Sequence, residues 1–270
     1  MEAVLGPEAP PLYYRTRGSG PVVLLLPGGD GDADSYDDLA GQLSTEFTVV
    51  SYDRRGLSRS AGAGPPAGIA AHADDAAAVL SAVTDAPAFV FGSSIGAVIA
   101  LELLGRRREL VRRAVVHEPP VAALLTEPER TELATAQSGI EAAHRRDGMP
   151  AAMALFARLA GLGATDRESG VELPAPGPYR ADNLEYFLTY DAPAVRAYLP
   201  DLPALRAGSA AIVPALGAAT SGVVARCAPA LAELLGVETA LFPGGHTGPR
   251  MHPRAYAEQL RSLFDPEQRP

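Results

Sequence analysis

The residues Gly92-Ser93-Ser94-Ile95-Gly96 set two serines between glycines at the end of an apolar run, Ala88 to Phe91. The stretch fits G-x-S-x-G, a pattern in which a buried strand turns sharply into a helix and exposes the central serine. Such a turn forces strained backbone angles on that serine, so its neighbours two positions away must be small. Gly92 and Gly96 fill those places, which selects Ser94 over Ser93 as a nucleophile. The plainer alternative is a glycine-rich turn in which the serine only caps a helix.

A serine hydroxyl is un-ionised at neutral pH and needs a base. Of the five histidines, His246 in Phe242-Pro243-Gly244-Gly245-His246-Thr247-Gly248 is the best placed, because it follows the last apolar strand-like run. A loop there can carry an imidazole back over Ser94. His252 is expected to begin the terminal helix, His72 and His144 fall in helices with no constellation around them, and His117 ends a strand. Acyl transfer also needs donors for a developing oxyanion, commonly backbone N–H groups at a glycine-permissive turn. Leu26-Pro27-Gly28-Gly29-Asp30 offers such a turn, so the N–H groups of Gly29 and Ile95 form the expected pair, with a plain tight turn as the alternative.

The elements that must position these groups alternate along the chain. Leu12 to Arg17 and Pro21 to Leu26, separated by Gly18-Ser19-Gly20, read as a hairpin-like entry into a sheet. Five further short apolar runs, 47–52, 88–91, 113–117, 211–216 and 238–242, suit strands buried on both faces. Between them, 36–43, 70–83, 95–107, 223–235 and 253–264 carry apolar residues at spacings of three and four, as amphipathic helices do. The alternation implies an α/β fold with a mostly parallel central sheet flanked by helices. From Pro119 to Gly208 the rhythm breaks: helix-like stretches at 127–145, 151–162 and 183–199 appear without a buried strand. A structureless loop of that length is uncommon, so a helical cap over 119–208 is expected, inserted after strand six into a core of 1–118 and 209–270.

Composition bounds the rest. The 270 residues are 47% hydrophobic, enough for a substantial core, and the net charge of -9 argues against nucleic acid or an acidic membrane surface as partner. The expected partner is a small-molecule substrate; oligomeric state is not legible. The basic residues are all arginine, which carries no functional inference. The lone cysteine, Cys227, makes no internal disulfide, and the first residues show no basic region followed by a long apolar segment, so a cytoplasmic protein is expected.

Taken together, LLLPGGD at 24–30, SYDRRGLSRS at 51–60, FGSSIGA at 91–97, VVHEPP at 115–120 and FPGGHTG at 242–248 resemble the α/β-hydrolase superfamily in content and order. The resemblance spans nearly the whole chain, and capped members carry their cap where 119–208 stands. It places Pro27 where many members have histidine, a change that leaves a backbone oxyanion contact intact. It also exposes a departure. Most members carry the acid of the triad after the seventh strand, yet here that segment reads Leu216-Gly217-Ala218-Ala219-Thr220-Ser221-Gly222, with no carboxylate before Glu233.

The resemblance to some haloalkane dehalogenases, which place the acid after strand six, makes Glu118 the expected substitute. Its alternatives are a helix-capping or salt-bridging role at the start of the cap. Asp53 is expected to stabilise its own loop instead. Losing the acid outright can cost around 10⁴-fold in a serine protease. A serine at the elbow implies hydrolysis of an ester, lactone or thioester through an acyl-enzyme, with no metal or organic cofactor. The alternatives are a non-hydrolytic tailoring enzyme of secondary metabolism, such as a cyclase, lyase or acyl transferase, and a catalytically weak ligand-binding member. Phe156, Tyr179, Tyr186, Phe187, Tyr190 and Tyr198 give the cap aromatic surface that either lines an apolar pocket or packs the cap onto the sheet.

Overall fold

In a computed structural model, residues 1–6, 10–29, 31–64, 68–162, 166–172 and 176–265 are described. Asp30 of the PGGD stretch lies outside them. The strands are β1 (Glu2–Val4), β2 (Tyr13–Arg17), β3 (Val22–Leu26), β4 (Thr48–Tyr52), β5 (Ala88–Ser93), β6 (Val111–His117), β7 (Ile212–Gly217) and β8 (Ala240–Phe242). They form one eight-stranded sheet in the order β1-β2-β4-β3-β5-β6-β7-β8. From β4 through β8 the neighbours run parallel, whereas β1–β2 and β2–β4 are antiparallel.

The hairpin-like entry expected of β2 and β3 does not form. β4 lies between them, and Tyr14 pairs with Tyr52 while Val23 pairs with Val49. The partner that β2 finds next in the chain is β1, with Ala3 opposite Tyr14. A three-residue strand, half exposed, leaves too short a pattern for sequence to reveal. The glycine turn could not close a hairpin because the continuous apolar run Val22–Leu26 demands burial on both faces, which parallel neighbours supply.

The helices are α1 (Asp37–Leu43), α2 (Ile69–Val83), α3 (Ile95–Arg106), α4 (Glu127–Asp147), α5 (Met149–Ala160), α6 (Arg180–Tyr186), α7 (Ala192–Arg196), α8 (Leu202–Ala207), α9 (Cys227–Leu235), α10 (Gly248–Met251) and α11 (Pro253–Phe264). One face of the sheet packs on α2, α3 and α9 through Leu80, Val98, Leu101 and Leu231. The other packs on α1 and α11 through Leu39, Leu43, Tyr256 and Leu260. Each fully buried leucine here contributes roughly 1.5–3 kcal/mol relative to exposure. The spacing of three and four along α11, through Pro253, Tyr256, Ala257, Leu260 and Phe264, is the pattern of a helix with one face inward.

Between β6 and β7 the described residues hold helices α4 to α8 and no strand. Thr126 and Glu129 form a reciprocal capping box that starts α4. The stretch expected as one helix over 183–199 is interrupted by a π-helical turn, Phe187–Asp191, set between α6 and α7. Such wide turns insert a residue and re-aim the side chains around it. Because β4 and β5 flank β3 on opposite sides, the carboxyl ends of the strands open a crevice at this switch point. Among the described residues no helix is long and apolar enough to cross a membrane.

Candidate active site

Ser94 follows β5 and starts α3 with φ 56° and ψ -123°, in the left-handed half of backbone space that a non-glycine residue rarely occupies. The strain is held from both sides. The Ser94 N–H donates to the carbonyl of His117 on β6 (2.9 Å), and its own carbonyl accepts from Ala97 (3.0 Å) at the first turn of α3. A side chain at Gly92 would run into the Gly96 carbonyl, and one at Gly96 into the carbonyl of Leu26 on β3. Both glycines are therefore required for the tight strand-to-helix turn.

Glu118 directly follows β6, also at positive φ (51°) and fully buried. Its N–H donates to Ala215 on β7 (2.9 Å), so the backbone turns at the point where the two strands end together. The side chain then reaches across the edge. Oε2 lies 2.6 Å from His246 Nδ1, while Oε1 accepts from the Gly217 N–H (2.8 Å) and the Thr220 hydroxyl (2.5 Å). Burial alone would raise the Glu118 carboxyl. The hydrogen bond from His246 leads the effects that outweigh it, followed by the His117 and His246 charges and the Thr220 hydroxyl, and the group is held down at about 2.

A carboxylate only accepts, so the proton on the shared hydrogen bond resides on His246 Nδ1. Nε2 is then the ring's acceptor. His246 and Ser94 line one cavity together. Thr220, in the segment that lacks an acid, thus serves as a donor to the carboxylate that replaces it.

The neighbouring His117 has a different environment. Its Nδ1 is 3.0 Å from Ser93 Oγ and its Nε2 3.1 Å from the Tyr256 hydroxyl, with the rings of Phe91, Phe242 and Tyr256 around it. Burial pushes its pKa down to about 4, so this histidine is neutral near pH 7 and carries a charge beside Glu118 only in acid. Ser93, the other serine of the motif, is tied to it.

The Pro27-Gly28-Gly29 turn passes against Ser94: a Cβ built on Gly28 would sit 3.0 Å from the Ser94 Cβ. Among the described residues, neither the Gly29 nor the Ile95 N–H finds a hydrogen-bond acceptor. Holding this turn is a group that sequence reading missed. Arg54, fully buried, donates to the carbonyls of Pro27 (2.9 Å), Gly29 (2.5 Å) and Gly31 (3.3 Å), and also to Asp191 Oδ2 (3.0 Å).

Asp191 ends the π-helical turn, and its other oxygen meets His72 Nε2 of α2 (3.0 Å). Burial raises the Asp191 carboxyl, but the Arg54 charge and the His72 hydrogen bond more than offset this and hold it low. A charged pair joined by a π-turn 137 residues downstream leaves no local spacing to read. Asp53 binds the N–H and guanidinium of Arg59 within its own loop, as expected, and also accepts from the Ala33 N–H in the loop after β3.

Two chambers leave Ser94. The first, about 770 Å³ including its open mouth, is walled by Ile95 of α3, by Leu133 and Ile140 of α4, and by Phe187 and Val195. The second runs beneath Gly28 and Gly29 towards Thr247 and Arg250. Of the six aromatic residues singled out above, Phe156 and Phe187 reach these chambers and stack edge to face (5.2 Å). Tyr179 lines an outer basin, Tyr190 is exposed, and Tyr198 packs on the core. His252 stands at the N-cap position of α11 and His144 bonds Glu185. Among the described residues no group of three or more His, Cys, Asp or Glu is arranged to hold a metal.

Comparison with known proteins accords with this architecture. The chain is 37% identical over 265 residues, 96% of its own length and 94% of the other, to an uncharacterized hydrolase, YraK, of Bacillus subtilis. Residues 21–145 match the model of the alpha/beta hydrolase fold. The chain belongs to the α/β-hydrolase family. Within it, a zearalenone hydrolase of Bionectria ochroleuca is 35% identical over 117 residues, covering 42% of this chain and 44% of that one. At the level of fold, an α/β-hydrolase from Sphaerobacter thermophilus superposes with a TM-score of 0.73 at 24% identity, over 98% of this chain and all of the other. An N-acyl homoserine lactone degrading enzyme, Est816, gives 0.71 at 20% identity, over 97% and 99%.

Proposed function

We propose that this α/β-hydrolase cleaves a carboxylic ester, lactone or thioester of a small to medium apolar substrate through an acyl-enzyme on Ser94. The observation that carries the reading is the 2.6 Å hydrogen bond between Glu118 and His246, made beside a serine strained at a strand-to-helix turn. His246 Nε2 takes the Ser94 proton, and Ser94 Oγ attacks the carbonyl. The N–H groups of Gly29 and Ile95 hold the oxyanion. The protonated imidazole is stabilised by Glu118 and gives its proton to the leaving group; a water activated by the same nitrogen then releases the acyl group. The relatives named as hydrolases, one of them acting on zearalenone, support a hydrolytic outcome.

The helical insertion 119–208 acts as the cap: its residues Leu133, Phe156 and Phe187 supply the apolar wall against which the substrate packs. The reading needs no cofactor, and the acidic net charge fits a small-molecule substrate rather than nucleic acid or a membrane. A cytoplasmic location fits the single buried, unpaired cysteine. Against a catalytically weak ligand-binding member, the hydrogen bond from Glu118 to His246 supports a working relay despite the acid-free GAATSG segment.

The test is labelling with a fluorophosphonate followed by mapping of the adduct. Modification of Ser94 supports the proposal; a folded protein unlabelled at Ser94 refutes it. Turnover of a simple ester then separates the supporting groups. Glu118→Gln should cost about 10⁴-fold in kcat, the scale seen when the triad acid of a serine protease is amidated. Thr220→Ala, which removes one of several donors to that carboxylate, should cost far less. The reverse order would exclude Glu118 as the acid.

A further inference from the structure

The two chambers that meet at Ser94 differ in chemistry. Phe156 and Phe187 border both. In the apolar chamber, the ionisable groups at the margin are already satisfied, Arg196 by Glu141 and His144 by Glu185. Among the described residues, the chamber beneath the Gly28-Gly29 turn is lined by two guanidiniums, Arg180 and Arg250, and by no carboxylate; Arg180 is already engaged.

Arg250 is the informative member. It stands on α10, four residues beyond His246, and is partly buried. Its guanidinium has neither an ion pair nor a hydrogen bond among the described residues. Of the carboxylates of the outer basin, Asp34 and Asp37 pair with Arg15, Asp34 also with Arg59, Asp32 accepts from the Ser58 hydroxyl, and neither Asp38 nor Glu172 forms an ion pair with Arg250. A partly buried cation facing a ligand cavity without a counter-charge gains most from an anion delivered by that ligand, because the fork of guanidinium donors matches a carboxylate in two parallel hydrogen bonds.

We propose that this chamber is a carboxylate subsite. The substrate is an ester or lactone whose apolar half fills the chamber walled by Leu133, Ile140 and Val195. The half beneath the Gly28-Gly29 turn bears a carboxylate that pairs with Arg250. The inference rests on Ser94 being the nucleophile, since that residue fixes where the two halves join.

The experiment uses two esters that share an acyl group and differ in one charge, 4-hexanoyloxybenzoate and 4-hexanoyloxybenzamide, at fixed ionic strength. The wild-type protein should favour the benzoate by roughly 10- to 100-fold in kcat/KM, carried by KM, the range expected for hydrogen bonds to a charged group. Arg250→Gln should bring the ratio close to one, and Arg250→Lys should restore part of it. Equal kcat/KM for the two esters in the wild type overturns the subsite, as does an equal loss on both in Arg250→Gln.

Calorimetric binding of the same esters to Ser94→Ala separates the subsite from the chemistry. Benzoate-selective binding that disappears in Ser94→Ala/Arg250→Gln upholds the subsite even where the wild type turns over neither ester and Ser94 resists labelling. Binding without selectivity overturns the subsite while leaving the serine mechanism standing.

Discussion

Lowering the pH from 7 to 4 should weaken the fold through one residue, His117. Its ring is fully buried at the end of β6, between Ser93 and Tyr256, and burial pushes its pKa from 6.5 down to about 4. Between those two values the unfolded chain binds a proton that the native chain refuses. Stability therefore rises with pH across this window: the contribution is complete above about 6.5 and is lost as pH falls to about 4. At 1.36 kcal/mol per unit the displacement corresponds to roughly 3 kcal/mol, a large share of the 5–15 kcal/mol that a domain typically has.

Glu118 acts in a lower window. Its carboxyl is held at about 2, so its stabilisation is intact above about 4.3 and fades only below that. The assay is urea unfolding at half-unit steps from pH 7.5 to 4, on the wild type and on His117→Gln. Glutamine keeps donor and acceptor atoms for Ser93 and Tyr256 and does not titrate. The wild-type free energy should fall by roughly 3 kcal/mol more than that of the variant over this range, whatever constant offset the substitution brings. A difference that stays flat with pH would show that His117 carries the same protonation folded and unfolded, and would refute the reasoning.

Arg54→Met leaves Asp191 buried against His72 alone and frees the carbonyls of Pro27, Gly29 and Gly31. Removing one member of a buried pair costs about 3–5 kcal/mol, so urea unfolding should show a loss of that order, and Arg54→Met/Asp191→Leu should recover part of it. Because the carbonyls belong to the turn that carries the Gly29 N–H, ester kcat should fall in both variants; recovery of kcat together with stability in the double variant would show that Arg54 does not position that turn. Gly217→Ala should reduce ester kcat at least tenfold while the protein still folds, because the new Cβ would stand 2.9 Å from Glu118 Oε1 and 2.8 Å from the Gly244 carbonyl. Full activity in this variant would mean that the Glu118 carboxylate tolerates displacement.

The sheet was legible because its strands are short apolar runs buried on both faces, and the boundaries fall within two residues for β3, β4, β6 and β7. Ser94 was legible for a local reason: the glycines that relieve the turn are neighbours in sequence. The same holds for the periodic face of α11. What escaped depends on distance along the chain. β2 and β3 are adjacent in sequence, yet β4 separates them, because the parallel pairing of β3 with β4 and β5 buries more than a hairpin would. His72 stood without visible partners, since Asp191 lies 119 residues away and reaches it only through a π-turn. Arg54 was read as part of a loop motif, and its three carbonyl partners carry no side-chain signature at all.

The position of the acid can be argued from register. His117 pairs with Ala215, and the Glu118 N–H continues the ladder to the Ala215 carbonyl, so β6 and β7 end side by side. A carboxylate at either end therefore faces the same imidazole, provided that its side chain spans the inter-strand distance of about 4.8 Å. Glutamate, one methylene longer than aspartate, does so here with Oε1 on the Gly217 N–H and Oε2 on His246. The space it occupies belongs to β7: at Gly217 any side chain would strike both the Glu118 carboxylate and the Gly244 carbonyl. The glycine after Leu216 and the hydroxyl of Thr220 are thus complementary to an acid supplied by the neighbouring strand. A segment without a carboxylate is in this way part of the acid's binding site, with Gly217 and Thr220 donating to Oε1 while His246 holds Oε2.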